Sequence, residues 1–540
     1  MTLKKHSAGF AARCAIAAAL IATPLMSKGA AAKQVAFDQA SIAELQAAMA
    51  AGTLTAEKLV ELCLARIDAF DNKGPKIHAV IALNPKALEI ARALDAERKA
   101  GKVRSPVHGI PVVLKDNYDT VDMPTTGGSV LLDGNMAPDD ANMVKKLRDA
   151  GAIILAKVNL GEFANGMQSS KGGQSLNPHD LTRTPSGSSG GTGVAVAAGY
   201  APLGLGTDTG GSIRGPSSVN GIVGLKPTHG LLSRDGIIPL SLSLDTGGPM
   251  VRSVSDIAVS LGIMTGVDPA DDATKKSQGK FEKDYTKYLN ANALKGARIG
   301  VQRDYMGADP DVDWAMEAAF KAMQKAGATL VDVRFPKWFL DSHTSMLWSI
   351  YPAEFHVQIA DYLKTTGPKY PKTLEQLIER SQEYTSLGPN GEGVNPYRWQ
   401  FFLTERDSGK LTDPGYIAAH DHGMPMAANL VGGIMAKEKL DAIVYPTTPQ
   451  RPEQIAGPTP TFSTGVYPMP VANLTGFPDL ILPVGFTTDD LPVTISFLGP
   501  AFSEAKLIAL GYSLEQVTKA IRRPVNTPAL PGGAIEVPSK

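Results

Sequence analysis

The stretch from Thr184 to Arg214 constrains this chain more than any other. It reads Thr-Pro-Ser-Gly-Ser-Ser-Gly-Gly, continues through the small residues of Val194–Ala201, and closes on Gly-Thr-Asp-Thr-Gly-Gly-Ser-Ile-Arg. Two serine-bearing glycine loops are thus joined by a segment small enough to lie buried against a backbone. Glycine loses the most backbone freedom on folding, so loops this rich in it serve special dihedrals or close approach by a ligand. Successive N–H groups at Thr209, Gly210, Gly211 and Ser212 make a candidate anion nest, or an oxyanion hole for acyl transfer. Ser212 then stands where an attacking hydroxyl is needed.

A serine hydroxyl needs an activating base, and no histidine is near in sequence. The upstream candidate is Lys115 in His-Gly-Ile-Pro-Val-Val-Leu-Lys-Asp-Asn, residues 108–117. An apolar strand that ends on a lysine is unusual, because lysine is rarely buried unpaired. Together these residues resemble the amidase signature family, which shares the strand-borne lysine, the Gly-Ser-Ser-Gly-Gly loop and the Gly-Gly-Ser-Ile-Arg loop in this order. The two serines, Ser188 and Ser212, stand 24 residues apart, as in the family pattern. The resemblance implies Ser212 as nucleophile, Ser188 as the bridging serine on a cis peptide, and Lys115 as base. It also implies a single α/β/α domain around a large, mixed, twisted sheet, spanning residues 33–540 with its signature core at about 107–265.

The energetic demand falls on the lysine. A free lysine titrates near 10.4 and is a proton donor at neutral pH. To accept a proton it must be held neutral by burial, which takes ~4 kcal/mol of differential interaction to bring it near neutrality. Asp116 follows it but, on a strand, points to the opposite face and leaves the amine alone. Ser189 is placed to hydrogen-bond within the network. Asp208 and Arg214 flank the nest inside a buried stretch and read as the supports that hold its shape. Met167 and Gln168, after Asn159-Leu-Gly-Glu-Phe163, are candidates for the acyl-side wall. Tyr118 is a candidate to narrow or line the pocket, and Ser186 stands where family members commonly have glycine.

Other chemistries fit less well. His420 and His422 lie two apart, no His-Glu-x-x-His occurs, and the chain has only Cys14 and Cys63, so no metal centre is expected. Gly187-Ser-Ser189-Gly-Gly191 matches the Gly-x-Ser-x-Gly nucleophile elbow, with Ser189 as nucleophile, but no strand leads into it. No Gly-Lys-Ser/Thr follows the glycine loop, so a phosphate cradle lacks its cation. Fifty-three basic residues balance fifty-three acidic ones, leaving no global field to recruit nucleic acid.

The N-terminus differs from the rest. Lys4, Lys5 and Arg13 precede an apolar run from Cys14 to Met26 and then Ala30–Ala32. That is the pattern of a secretory signal peptide over residues 1–32, too short to span a bilayer comfortably. Its loss leaves Cys63 as a buried structural thiol and an exported protein, periplasmic or extracellular, with no stable membrane insertion. Downstream, Ser41 and Thr55 cap helices, and Val107–Leu114, Ala152–Lys157, Ala297–Val301, Thr329–Val333 and Ala442–Tyr445 read as strands. Leu480–Pro483 and Val493–Leu498 read as a strand pair, and Glu504–Ala520 as a closing helix. Helices dominate from Trp348 to Ser408, interrupted at Gly388–Gly393, and the proline-rich 446–470 segment lines the rim of a cleft. This alternation argues for an α/β sheet layered by helices.

The expectation is therefore an exported serine amidohydrolase without cofactor, cleaving a small-molecule or peptide carboxamide through an acyl-enzyme. Ser233-Arg-Asp-Gly-Ile-Ile-Pro239 resembles the exported bacterial peptide amidases of the family. An ester, anilide or carbamate would pass through the same oxyanion. The alternative is an amidotransferase A subunit that works in a transamidation complex, and a third reading is a binding protein on the same fold.

Overall fold

The computed structural model describes residues 33–384, 386, 393–456 and 467–539. The leader expected at 1–32, residues 388–392 of the helical interruption and residues 457–466 of the proline-rich segment lie outside the described residues. Eleven strands form one mixed sheet. Across it run Thr329–Val333, Arg298–Gln302, Ala442–Pro446, Pro492–Leu498, Asp479–Phe486, Val223–Lys226, Thr246–Val251, Leu203–Asp208, Pro111–Lys115, Ile153–Val158 and Val80–Leu83. Helices pack against this sheet in a single α/β domain. No described helix is long and apolar enough to cross a membrane.

Local sequence accounts for many of the boundaries. Ser41 Oγ accepts from Glu44 N–H at 3.2 Å while the Ser41 N–H donates to Glu44 Oε2 at 3.0 Å. This reciprocal box starts Ile42–Ala50. Thr55 caps Ala56–Ile67, whose buried Leu59, Val60, Cys63 and Ile67 share one face. Burial pushes the Cys63 thiol up to about 12, as fits an inert structural side chain. Pro310 sits in the first turn of Pro310–Lys325, where its missing N–H costs nothing.

Three strands at the centre carry no clear periodic pattern: Leu203–Asp208, Val223–Lys226 and Thr246–Val251. Each is fully buried and interrupted by glycine, so neither alternation nor an unbroken apolar run marks it. The packing gives the reason. A Cβ at Gly204 would lie 2.6 Å from Thr192 Cγ2, so only glycine lets the helix Gly190–Ala197 lie on this strand.

Candidate active site

Two parallel neighbours in the sheet, Pro111–Lys115 and Leu203–Asp208, end side by side. Their carboxyl ends deliver Lys115 and Thr207 to the same edge. The Lys115 side chain is fully buried. Its Nζ lies 2.7 Å from Ser188 Oγ, 2.7 Å from Thr207 Oγ1 and 3.4 Å from the Thr207 carbonyl. Asn117 Nδ2 donates to the same Thr207 hydroxyl at 3.1 Å. Burial pulls the Lys115 amine down to about 7, against the opposing pull of Asp208 and Asp245. Asp116 turns away as strand alternation requires and pairs with Lys157 at 2.8 Å.

Ser188 follows a cis Gly187–Ser188 peptide. A side chain at Gly187 would place its Cβ 2.0 Å from the Gly166 carbonyl oxygen, so the loop passes too close to Gly166 for anything but glycine. Ser186, at the position where the family commonly has glycine, takes a left-handed φ of 59°. Ser189 Oγ donates to the Thr207 carbonyl at 3.1 Å, and its N–H donates to the Ser212 carbonyl at 3.2 Å. Ser189 therefore braces the two loops from behind, with no strand leading into an elbow.

The nest is narrower than the sequence suggests. The Gly211 N–H donates to Asp208 Oδ1 at 2.8 Å and is unavailable to a ligand, while Thr209, Gly210 and Ser212 line the cavity. Asp208 also accepts from the Ile213 N–H at 3.0 Å. Arg214 clamps it through Nε at 3.1 Å and Nη2 at 3.0 Å. Burial pushes the Asp208 carboxyl up, but Arg214 more than offsets this and holds it well below the usual carboxylate range. Arg214 reaches Asp479 at 3.4 Å and also bonds Asn473, whose Nδ2 donates to Asp208 Oδ1 at 3.0 Å. Thr209 Oγ1 donates to Asp245, a buried carboxyl that burial pushes up to about 6.

Above these groups opens a cavity of about 550 Å³. Ser188, Ser212 and Met167 line it, with Leu347 and Trp348 from the long helix Lys337–Leu363 and Glu453 from the proline-rich segment. Ser188 and Ser212 share this cavity, but no hydrogen bond joins their side chains among the described residues. Two expected wall residues are elsewhere. Tyr118 is fully buried and its hydroxyl donates to the Gly206 carbonyl at 2.7 Å, so it packs the core instead of lining the pocket. Gln168 pairs with Gln174 in a small two-stranded ribbon and lies outside the lining.

Several participants carried no sequence signal of their own. Thr207 and Asn117 lie inside the quoted motifs with no role assigned to them there, Asp245 lies downstream, and Asn473 and Asp479 join them only through the fold. Among the described residues no group of three or more His, Cys, Asp or Glu side chains could hold a metal.

The arrangement pairs an amine drawn down to about 7 with one hydroxyl and sets a second hydroxyl beside backbone N–H groups, which suits acyl transfer. The Amidase family profile matches residues 58–508. The glutamyl-tRNA(Gln) amidotransferase A subunit of Chloroflexus aggregans is 36% identical over 497 residues, covering 88% of this chain and 96% of that protein. The crystal structure of a peptide amidase from Stenotrophomonas maltophilia superposes with a TM-score of 0.82 at 38% identity, covering 90% of this chain and 98% of that one. That of the glutamyl-tRNA(Gln) amidotransferase A subunit from Thermotoga maritima gives 0.69 at 26% identity, over 90% of this chain and 98% of that one.

Proposed function

The chain belongs to the amidase signature family, and from that premise we propose that it is an exported amidohydrolase that cleaves carboxamides through an acyl-enzyme on Ser212. The observation that carries the reading is the buried Lys115 amine 2.7 Å from Ser188 Oγ, in the cavity that Ser212 also lines. Ser212 Oγ attacks the amide carbon and passes its proton to Ser188, whose own proton goes to Lys115. The carbonyl oxygen becomes an oxyanion facing the N–H groups of Thr209, Gly210 and Ser212. Collapse breaks the C–N bond, and Lys115 returns the proton through Ser188 to the leaving amine. Water repeats the sequence on the ester and frees Ser212. The missing Ser188–Ser212 contact closes when the substrate orients Ser212, as catalytic hydrogen bonds commonly tighten in the substrate complex.

Peptide-terminal amides are the favoured substrates, because the chain is more similar to the solved peptide amidase than to the solved amidotransferase component. Export is part of the proposal through the charged start and apolar run before Ala30–Ala32. The curated relatives favour a second reading, an amidotransferase A subunit that works in a transamidation complex. The same relay serves both. The mature chain alone, offered peptide amides, anilides, esters, carbamates and glutamine, separates them. Turnover of peptide amides by the isolated chain is the expected result. Activity confined to glutamine and dependent on a partner would transfer the reading to the amidotransferase.

A further inference from the structure

The cavity above Ser212 carries formal charge of one sign. Among its described lining residues Asp341 and Glu453 are the acids, and no lysine, arginine or histidine stands with them. Residues 457–466, next along the chain, contain no charged side chain. Asp341 is exposed and pairs with Lys337 at 2.8 Å, so its charge is answered on the helix surface.

Glu453 is different. Its carboxylate has no ion-pair or hydrogen-bond partner among the described residues, and it is half-buried. The arginines of the adjoining chain are already engaged: Arg183 with Asp180 and Asp489, Arg451 with Asp309, Asp311 and Asp489. Its position is fixed by backbone pairing. The Thr184 N–H donates to the Glu453 carbonyl at 2.8 Å, and the Ile455 N–H to the Thr182 carbonyl at 2.9 Å. Arg183 Nη1 adds a bond to the Pro452 carbonyl at 2.6 Å. This strap holds Glu453 against the segment that runs directly into Ser186–Ser188. A carboxylate partly stripped of water and left unpaired is costly unless a ligand supplies its counter-charge.

We propose that Glu453 selects carboxamides whose carbon skeleton carries a guanidinium or ammonium group, the cation pairing with its carboxylate while the amide carbon lies at Ser212. The inference rests on Ser212 being the nucleophile. Burial pushes the Glu453 carboxyl up from its ordinary value, as expected of a carboxylate that lacks a counter-charge.

The test compares arginine- and lysine-bearing peptide amides with their neutral citrulline and Nε-acetyl-lysine counterparts, each with a free and an acetylated N-terminus. The wild-type chain should favour the cationic member of each pair by about tenfold in kcat/KM, the lower range for a charge-assisted contact. That ratio should fall with added salt. A preference for the free over the acetylated N-terminus at the same side chain would locate the recognised cation at the α-amine; a preference for the cationic side chain within the acetylated series would locate it at the side chain. Glu453→Gln should bring the ratio to about one, and Glu453→Lys should turn it toward glutamate-bearing amides. Calorimetry on Ser212→Ala reads the same ratio in Kd without turnover, so it decides the question even if no amide is cleaved and the Ser212 reading fails. Equal handling of both charge classes by the wild type, or a preference that survives Glu453→Gln, overturns the proposal.

Discussion

Replacing Lys115 by methionine separates the cost of burying the lysine from the use made of it. The folded amine titrates at about 7, whereas an unfolded lysine titrates near 10.4. Below about pH 7 both states are protonated, and burial of the charge weighs fully against folding. Between about pH 7 and 10 the unfolded chain binds the extra proton, so stability rises with pH and the penalty fades. Integrating that difference from pH 7 to pH 9 gives about 2 kcal/mol. Lys115→Met lacks the group, so its stability relative to wild type should decline by that amount across the interval. For a chain this long that is a relative change of about 2 °C in Tm. The lost bonds to Ser188 and Thr207 add a constant offset that the pH comparison removes. Thermal melts of both proteins at pH 7, 8 and 9 read the effect, and kcat/KM of the wild type should rise through the same pH range. Parallel stability curves would show that Lys115 keeps its proton in the fold, and the relay would have no base.

Further outcomes follow from other contacts. Ser188→Ala should cut turnover by several orders of magnitude because Ser212 loses its path to Lys115, while Ser189→Ala should cost roughly fivefold, one bracing hydrogen bond; fluorophosphonate labelling should mark Ser212, and label on Ser189 would end the scheme. Arg214→Leu leaves Asp208 and Asp479 buried without their cation and should lower stability by about 3–5 kcal/mol, read by denaturant unfolding; a loss under about 1 kcal/mol would show that the clamp is dispensable. The protein recovered from its native host's envelope or medium should lack about thirty N-terminal residues by intact mass, and full-length protein in the cytosol would remove export from the proposal.

The site is legible in the sequence where chemistry forces rare residues together. A lysine closing an apolar strand and two glycine loops bearing serines have few ordinary uses, and the fold sets the buried Lys115 amine against Ser188, which shares one cavity with Ser212. Helix starts are legible for a similar reason, since Ser41 and Thr55 cap through bonds that are local in sequence. What stays hidden depends on long-range contact. Asn473 reaches Asp208 across 265 positions, and no local pattern encodes that meeting. Tyr118 packs the core rather than the pocket because adjacency to Lys115 says nothing about which way a residue turns once the strand ends. Gly211 reads as a free donor in sequence because nothing there shows that Asp208, three residues earlier, folds back onto it.

The supports of the site explain why burial draws one basic group toward neutrality and leaves another charged. Lys115 is surrounded by hydroxyls and a carbonyl, and its nearest opposing charges do not touch it. Desolvation therefore dominates and the amine falls to about 7. Lys226, fully buried and donating to the Pro227 and Phe477 carbonyls, is drawn down to about 7 as well by desolvation, with Arg214 repelling its charge. Arg214 meets Asp208 and Asp479 directly, and their attraction outweighs the same desolvation and raises it above its ordinary value. A guanidinium also suits this place geometrically, because its fork spans Asp208, Asp479 and Asn473 at once where an ammonium could not. The fixed cation thus holds the carboxylate that ties down Gly211, while the amine beside Ser188, drawn down to about 7, meets what the proposed relay asks of its base. Exchanging the two residue types would reverse both properties, giving a base that never deprotonates and a loop whose anchor is lost.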